Sequence, residues 1–487
     1  MEYTTNNFIF DETKITKNNH FALGMFGDHY YFGVMIPKEV EIVDKKTKEK
    51  KIEQITVPVI VLSDHNFHEI SETFQKKNNV RFSEELLMER NRWNLKEIED
   101  FFTHRGIKDA YEEISFEELF NRIKKLYEKY VYLEEGYYDL HAVWDIGTYF
   151  FNCFEIYPYI ELNGLKGTGK TKVMRISEKL TFNGKLFIAP TPATVFRFVE
   201  RNKPTLYIDE AEKLFKSYGH KADNSDLVEL LNAGYTKAGR VPRVEKDERG
   251  KFVIKNFDVY CPKMIASING MQGALKDRCI TEIMVKPSHK DNRGDLEPSN
   301  HDKEFIKIRN KLYPFALKKA GGIGVQYGCL NKEFNLSNRD WQLWKPLLTI
   351  AKFISSEVYQ KLGKLAEEIT LVKEEVLEED TWDYKIIESL RCLLEDDSLT
   401  RITVNGIKIN ISMPDGERKP SNTFIGKYLS RIGLGRYKRR TGKGVYYEVN
   451  RKIVETLLTT QNLVTQATLP TQATQDTLTN IPEEVVV

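Results

Sequence analysis

The first 80 residues alternate short apolar runs with charged stretches. His29-Tyr-Tyr-Phe-Gly-Val-Met-Ile36 and Ile55-Thr-Val-Pro-Val-Ile-Val-Leu62 are rich in β-branched and aromatic residues, and a charged segment at 44–51 separates them. Apolar runs of this kind, bounded by polar residues, are typical of strands joined in a hairpin. The pattern therefore predicts a small β-rich module over residues 1–80.

Over residues 81–136 the apolar positions repeat with the period of a helix. Ser115-Phe-Glu-Glu118, preceded by Ile114, has the form of a capping box ahead of the apolar residues Leu119 and Ile123. In such a box the Ser side chain and the Glu side chain each accept a bond from the other residue's backbone amide. The segment is predicted to be a helical linker region.

The pattern changes again over residues 137–300, where apolar runs of strand length alternate with helical periods. This alternation is the signature of an α/β fold, in which helices cover a parallel sheet. Residues 301–372 continue with a helical pattern, which we interpret as a lid. The candidate strands are Tyr157–Leu162, Leu186–Ala189, Thr205–Ile208 and Met264–Ile268.

A last folded segment is expected over residues 381–458. Beyond it, residues 459–487 are rich in Thr, Gln and Pro and hold too little apolar content to fold, so we predict a disordered tail. The predicted elements before the tail are a helix over Trp382–Leu394, strands over Ile402–Val404 and Ile407–Ile411, a capped helix over Ser421–Arg431 and a basic hairpin over Arg436–Val449.

The amino-acid composition excludes some classes of protein but does not by itself indicate a function. The 487 residues are 41% apolar, enough for several ordinary cores, and no apolar run is long enough for a membrane span or a signal peptide, so we expect a cytoplasmic protein. The 73 basic and 71 acidic residues nearly cancel to +2, so any nucleic-acid surface must come from local clusters. The five cysteines are scattered singly, which disfavours a zinc site.

A phosphate-binding loop follows the strand that ends at Leu162. The motif G-x-x-x-x-G-K-[ST] is matched in full between that strand and a helix expected to begin near Lys172. Backbone amides and the helix N-terminus would bind phosphate, the Lys would neutralise the β and γ groups, and the Thr would bind Mg²⁺. The eight positions are Gly164, Leu165, Lys166, Gly167, Thr168, Gly169, Lys170 and Thr171.

An acidic pair ends the strand Thr205–Ile208. Asp209 is expected to hold Mg²⁺ through water, and Glu210 is expected to orient and deprotonate the attacking water. Either carboxylate alone could be a solvated strand end. Together with the loop they predict ATP hydrolysis, because phosphoryl transfer depends on positioned charge.

Two further polar residues are candidates for the same chemistry. Asn269 follows the strand Met264–Ile268, where it would face the γ-phosphate as a sensor residue, unless it is a plain turn former. Arg278 could reach the ATP of a neighbouring subunit as an arginine finger, although an ion pair with Asp277 is the alternative.

In this order the motifs resemble the AAA+ ATPases. The segments Ala189–Glu200, Pro204–Glu212, Leu230–Tyr235 and Leu275–Ile280 are similar to an uncharacterised ATPase domain family of plasmids, phages and integrated elements. The resemblance covers about residues 137 to 355.

The resemblance implies a helicase-like role in replicating a mobile element, together with a separate primase or replication protein as a possible partner. It also implies that Arg339, in the segment Asn338–Ala351, acts as a second sensor in the lid; a surface Arg beside buried tryptophans is the alternative. No primase domain is recognisable in residues 1–130, so we expect that this chain does not make primers.

Two basic segments are candidate nucleic-acid contacts. The first is a hairpin predicted between residues 240 and 257; by its resemblance to superfamily 3 and MCM helicases it would carry Lys246, Arg249 and Lys251 to a DNA backbone, unless it is only a charged, solvated turn. The second is the helix and hairpin of residues 421–449, which resemble a winged helix; this fold also serves protein interaction. Its candidate contacts are Lys427, Arg431, Lys438, Arg439, Arg440 and Lys443.

The sequence thus favours an ATP-driven DNA helicase or translocase that assembles as a homo-oligomeric ring, a hexamer, acting on single-stranded or forked DNA and not on membranes. A loader or remodelling ATPase without processive unwinding is the alternative. A scaffold that only binds ATP is disfavoured because Glu210 is present.

Overall fold

The computed structural model describes residues 17–43, 50–83, 92–103, 114–188, 190–211, 225–246, 250–268, 271, 273–285, 292–299, 302–380, 382–394, 401–411, 420–431, 434–441, 444–449, 452 and 454–455. The tail predicted over residues 459–487 lies outside these ranges. Contacts divide the chain into two compact units, residues 1–370 and residues 371–487.

The N-terminal part of the first unit is a four-stranded antiparallel sheet, as the apolar runs predict. Strands β2, β3, β4 and β5 are neighbours in that order, and β1 pairs with β6 in a separate parallel pair. The ring of Phe32 packs against Phe182 and Tyr313, so this sheet shares its core with the rest of the unit. The elements are β1 (Lys17–Asn19), β2 (Leu23–Phe26), β3 (His29–Val43), β4 (Lys50–Leu62), β5 (Phe67–Glu69), α1 (Glu72–Asn78) and β6 (Val80–Phe82).

Three helices follow: α2 (Leu95–Thr103), α3 (Phe116–Tyr130) and α4 (Tyr137–Gly147). The side chain of Ser115 accepts a hydrogen bond from the amide of Glu118 at 3.0 Å, which confirms the predicted N-terminal cap of α3. The apolar residues of α3 recur at helical spacing and are buried, so one face of this helix enters the core.

A five-stranded parallel sheet forms the centre of the unit. Its strand order is β13-β7-β12-β9-β8, and every neighbouring pair is parallel. Four of the strands were predicted; β13 was not. The elements are β7 (Tyr159–Asn163), α5 (Lys170–Leu180), β8 (Lys185–Ile188), α6 (Pro192–Asn202), β9 (Leu206–Asp209), α7 (Ser225–Ala233), β10 (Arg240–Lys246), β11 (Phe252–Asp258), β12 (Lys263–Ser267) and β13 (Cys279–Ile283).

Strands β10 and β11 form the predicted antiparallel hairpin, with Arg240 opposite Asp258 and Lys246 opposite Phe252. The hairpin precedes β12 directly. Its base is held by the carboxylate of Asp258, which pairs with Lys203 at 2.5 Å and with Arg240 at 3.1 Å. Burial alone would raise the pKa of Asp258, but the two cations and the hydrogen bonds outweigh it and hold that pKa below its usual value.

The first unit continues in the helices predicted for residues 301–372. These are α8 (Lys303–Cys329), α9 (Asn338–Ile354) and α10 (Ser356–Asp380), which crosses the boundary of the two units after residue 370. Leu312, Leu347 and Leu362, one from each helix, are buried in the same core as the parallel sheet. Short 3₁₀ helices lie at Phe151–Cys153, Gly273–Arg278 and Asn292–Asp295.

The second unit has its own apolar core and a three-stranded antiparallel sheet in the order β14-β16-β15. One prediction was wrong here: the residues from Ile407 to Ile411 are not a strand, because Val404–Asn410 is helical. Thr403 caps this helix by accepting a bond from the amide of Gly406 at 3.0 Å, and Ile407 and Ile411, four residues apart, share its buried face. The elements are α11 (Trp382–Leu393), β14 (Arg401–Thr403), α12 (Val404–Asn410), α13 (Asn422–Arg431), β15 (Lys438–Thr441) and β16 (Gly444–Glu448).

Of the helices that the structure describes, none combines the length and apolar character that crossing a bilayer requires.

Candidate functional site

The loop from Gly164 to Thr171 connects β7 to α5 at the carboxyl edge of the parallel sheet. A Cβ on Gly164 would lie 2.5 Å from the carbonyl oxygen of Met284, so only glycine fits there. Gly169 has φ +97° and is the N-cap of α5. The helix therefore begins at Lys170 with its first amides directed at the loop, an arrangement that binds anions.

The ammonium of Lys170 is held against this loop. Its Nζ donates to the carbonyl oxygens of Gly164 at 2.6 Å and Leu165 at 3.0 Å. The hydroxyl of the buried Thr168 donates to the same Leu165 carbonyl at 3.0 Å. The lysine charge thus lies within the curve of the loop, where a phosphate bound by the loop amides would meet it.

Thr171 and Asp209 meet across the site. The Thr171 hydroxyl donates to Oδ2 of Asp209 at 2.7 Å, which joins the start of α5 to the end of β9. Oδ1 of Asp209 accepts from the amide of Glu210 at 2.9 Å, and Glu210 has φ +55°. A left-handed backbone at a non-glycine residue is uncommon and concentrates at functional sites.

These residues line a cleft of about 520 Å³. Among its described lining residues, five are basic (Lys166, Lys170, Lys172, Arg175 and Arg293) and three are acidic (Asp209, Glu210 and Glu297). The excess of cations suits a polyphosphate. Tyr130, Val131 and Tyr132 add an aromatic and apolar wall at one side.

Strand β12 connects the two halves of the site, because it lies between β7 and β9. The amide of Gly164 donates to the carbonyl of Ser267 at 3.3 Å, and the amide of Ala211 donates to the carbonyl of Ala266 at 3.0 Å. Both the phosphate loop and the turn after Asp209 are therefore bonded to the end of one strand.

Glu161, on β7, is a buried carboxylate that sequence reasoning missed. Its Oε1 accepts from the amide of Met271 at 2.5 Å and from Ser267 at 3.4 Å, and its Oε2 accepts from Thr281 at 2.8 Å. It fixes the end of β12 and the residues that follow. The signal in the sequence was a single charged residue within an apolar strand.

A second buried carboxylate, Asp145 of α4, lies behind the phosphate loop helix. Tyr127 donates to it at 2.8 Å, and Ser177 of α5 also donates to it. Ser177 in turn bonds Tyr207 of β9 at 2.8 Å. Burial raises the pKa of Asp145 to about 7, although its two hydrogen bonds and His141 act in the opposite direction.

Arg293 was also missed by sequence reasoning. It lines the cleft, and its guanidinium donates to the hydroxyl of Tyr138 at 3.0 Å and lies 5.2 Å from the ring centroid of Tyr132. Its carbonyl oxygen accepts from Lys172 at 3.2 Å. Arg293 comes from a polar segment without a periodic pattern or a motif that would single it out.

The candidate arginines Arg278 and Arg339 lie elsewhere. Each guanidinium is 5.8 Å from the ring centroid of Tyr235, and neither residue lines the cleft. Arg278 immediately precedes β13, whose first residue pairs with the first residue of β7. The backbone of Arg278 therefore lies at the amino edge of the sheet, about 16 Å along β7 from the Gly164 loop at a strand rise of about 3.3 Å per residue. Arg339 shares the Tyr235 ring with it. The structure thus does not bring the predicted second sensor, Arg339, to this chain's own cleft.

Asn269, Arg249 and Lys443 lie outside the described residues. Ile268, which precedes Asn269, lines the cleft, so β12 leads to the site as expected. For Lys427 and Arg431 the helical backbone is described but the side chains are not.

The remaining nucleic-acid candidates are at the surface. Lys246 and Lys251 are exposed at the far end of the hairpin. In the second unit Lys438, Arg439 and Arg440 are exposed along β15. Lys438 lines a cleft of about 1230 Å³ between the helix α13 and the sheet, together with Asn422, Thr423, Ser430 and Tyr446.

The donors present suit Mg²⁺. Thr171 and Asp209 offer a hydroxyl and a carboxylate oxygen 2.7 Å apart beside the phosphate loop. Mg²⁺ bound with nucleotides takes one or two protein oxygens and completes its shell with phosphates and water. No cluster of three or more His, Cys, Asp or Glu side chains within the described ranges forms another metal site.

No protein-family model and no curated protein matches the chain. Among solved structures, the chain is similar to the SCCmec type IV Cch active helicase, at 11% identity over 90% of this chain and 98% of that chain, with a TM-score of 0.42. It is also similar to the apo A form of the NrS-1 C-terminal region (11% identity, 85% and 96%, TM-score 0.31). Cdc6p from Pyrobaculum aerophilum follows (13% identity, 67% and 94%, TM-score 0.17). Superpositions this loose transfer no residue roles, so the site rests on its own geometry.

Proposed function

We propose that this protein hydrolyses ATP at the Lys170 cleft and uses the energy to move along single-stranded or forked DNA as a helicase or translocase. The observation that carries the ATPase assignment is the hydrogen bond from Thr171 to Asp209. It joins a phosphate loop, a helix N-terminus and a strand-end carboxylate at one edge of a parallel sheet, with Glu210 alongside.

The chemistry follows from these positions. The loop amides and the N-terminus of α5 bind the β- and γ-phosphates, and Lys170 neutralises their charge. Glu210 accepts a proton from a water molecule whose oxygen attacks the γ-phosphorus. The bond from that phosphorus to the β–γ bridging oxygen breaks, and ADP and phosphate are released.

Thr171 and Asp209 would hold Mg²⁺, which when bound neutralises charge that develops on the phosphate oxygens. Asp209 is 9% exposed, so its carboxylate is shielded from bulk water. Its bond to the Glu210 amide fixes the carboxylate beside the turn that carries the proposed base.

Strand β12 connects the cleft to the hairpin through few intervening residues. β12 bonds to both halves of the site, and only four residues, 259–262, lie between the end of β11 and the start of β12. The buried Lys263, first residue of β12, donates to the carbonyls of Gly234 at 3.2 Å, Val259 at 3.0 Å and Cys261 at 3.1 Å. A shift of β12 during hydrolysis would therefore move the base of the hairpin.

A ring of identical subunits, a hexamer, is part of the proposal. Arg278 and Arg339 lie together at the sheet edge opposite the chain's own phosphate loop. Nε of Arg278 finds no hydrogen-bond partner among the described residues. Their position supports a role at the ATP of a neighbouring subunit, where a guanidinium stabilises transition-state charge. In such a ring a separate primase or replication protein would be a partner.

The second unit supports a DNA contact of its own. Its order of helix, strand, two helices and two strands matches the order of elements in a winged helix, which supports that assignment. The cleft between α13 and the sheet is lined by polar residues and Lys438. We propose that α13 and the basic strand β15 bind the phosphate backbone of DNA, which gives salt-dependent affinity without sequence specificity.

The experiment measures ATP hydrolysis with and without single-stranded and forked DNA, for the wild type and for Lys246→Ala/Lys251→Ala. The double variant should keep its basal rate and lose most of the stimulation by DNA. Lys77→Ala/Lys96→Ala, which removes two exposed lysines far from the hairpin in sequence, is the matched control and should respond as the wild type does.

Hydrolysis that DNA does not change would remove the translocase proposal and favour an ATPase that remodels or loads a protein–DNA complex. Stimulation by DNA without strand displacement on a forked substrate would favour the same alternative. Wild-type hydrolysis by Lys170→Ala would remove the ATPase assignment itself.

A further inference from the structure

The hairpin has one face that is apolar and exposed. Strand register puts Val244 opposite Ile254 and Lys246 opposite Phe252, so these four side chains project from the same face of the ribbon. Val244 is 64% exposed, Ile254 73% and Phe252 74%. The Nζ of Lys246 lies 5.3 Å from the Phe252 ring centroid.

The opposite face is fixed to the helix α6. The guanidinium of Arg243 lies 5.0 Å from the Phe196 ring centroid, Glu245 pairs with Arg197 at 2.7 Å, and Lys255 pairs with Glu200 at 3.2 Å. Contacts to α6 along one face leave the other face presented outward. The exposure of Phe252 is therefore a consequence of the packing and not of an unanchored ribbon.

The charge on the exposed face indicates its partner. The cores of protein–protein interfaces are depleted in lysine, whereas sites for single-stranded nucleic acid combine cations that contact the backbone with aromatic rings that stack on bases. Here Lys246 lies beside the ring and Lys251 immediately precedes it. The patch formed by three apolar side chains is also small compared with the roughly 800 Å² of surface that each partner buries in a stable protein–protein interface.

We infer that Phe252 is a base-stacking platform for a single DNA strand, with Ile254 and Val244 extending the apolar surface and Lys246 contacting the adjacent phosphate. This inference rests on the proposed function and adds a residue that contacts bases to a hairpin otherwise assigned to the DNA backbone. Stacking on an aromatic ring would be independent of base sequence, because each base has a π-face.

The test measures binding of a fluorescein-labelled oligodeoxythymidylate by the full chain across a salt titration. Phe252→Ala should lower affinity about tenfold without changing the dependence of log K on log salt, because a ring carries no charge. Phe252→Trp should restore binding. Lys246→Ala should instead lower the salt slope by about one.

Phe67→Ala is the matched control, because Phe67 is another exposed phenylalanine, at 56%, in a different sheet. It should bind as the wild type does. A second readout is photocrosslinking to an oligonucleotide with 5-iododeoxyuridine, which should map to Phe252.

Wild-type affinity in Phe252→Ala, or a crosslink that maps away from β11, would overturn the inference while leaving the proposed function intact. Loss of oligomer in sedimentation with unchanged DNA affinity would assign the face to a subunit contact instead. A wild-type protein that binds no oligodeoxythymidylate and whose hydrolysis ignores DNA would overturn both.

Discussion

The cleft at Lys170 and the hairpin use polar side chains in different ways. In the cleft, Asp209 accepts bonds from Thr171 and from the Glu210 amide and is nearly buried. On the hairpin, Lys246 and Lys251 are exposed at the end of a two-stranded ribbon. Phosphoryl transfer needs groups fixed to a fraction of an ångström, whereas a phosphate backbone needs only charge within reach. A small change of side chain should therefore have a larger effect on function in the cleft than on the hairpin.

The largest effect is expected at Glu210. Glu210→Gln should lower the single-turnover rate of ATP hydrolysis by roughly 10²- to 10⁴-fold, because the amide cannot accept the proton of the attacking water. Binding of a fluorescent ATP analogue should stay near the wild-type affinity, since the loop and Lys170 are unchanged.

Glu117→Gln, at an exposed position in the first turn of α3, controls for loss of a carboxylate and should hydrolyse ATP normally. Equal rates for Glu210→Gln and the wild type would contradict the contrast between cleft and hairpin, because Glu210 would then not be an essential base.

An effect of intermediate size is expected from Asp145, whose titration should make the free energy of unfolding depend on pH. Its folded pKa, about 7, is above the usual value of 3.8, so between these values the unfolded chain releases the proton that the folded chain keeps. Stability should therefore fall as pH rises across that interval and level off above pH 7. The loss is on the order of 2 to 4 kcal/mol at most.

Asp145→Asn should flatten that dependence, because the amide resembles the protonated acid at every pH. Thermal melting of both proteins between pH 5 and pH 8 measures the difference. Asp28→Asn, at an exposed turn, should leave the wild-type profile unchanged. A wild-type profile that does not fall between pH 5 and pH 7 would contradict the assignment.

The smallest effect is expected at Arg439, which pairs with Glu448 at 3.1 Å on the surface of the second unit. Arg439→Ala should change stability by less than about 1 kcal/mol. It should weaken DNA binding several-fold and lower the salt slope by about one, because the side chain is proposed to contact phosphate.

Glu448→Gln breaks the same ion pair and keeps the arginine, so it should match the stability change without weakening DNA binding. Equal DNA affinities for the two variants would mean that Arg439 serves only the surface ion pair.

The positions of the Gly164–Thr171 loop, of the acidic pair at a strand end and of the hairpin could be predicted from the sequence, because each depends on local spacing. Gly164, Lys170 and Thr171 stand at fixed intervals after an apolar strand, and Asp209 ends another. Local spacing failed at Ile407–Ile411, where alternating β-branched residues suggested a strand. There the cap at Thr403 and burial of one helical face outweighed strand propensity.

By itself, the sequence determined which reactive groups are available: a loop that matches a phosphate-binding motif, two adjacent carboxylates and basic hairpins. Only the tertiary structure decided what lies together. It put β12 between β7, which leads into Gly164, and β9, which ends at Asp209. It also buried Glu161 and Asp145 behind the cleft and brought Arg293 to its rim. It also gathered Arg278 and Arg339 at Tyr235. The physical reason is that strand order and burial depend on contacts between segments far apart in the chain, which local spacing does not encode.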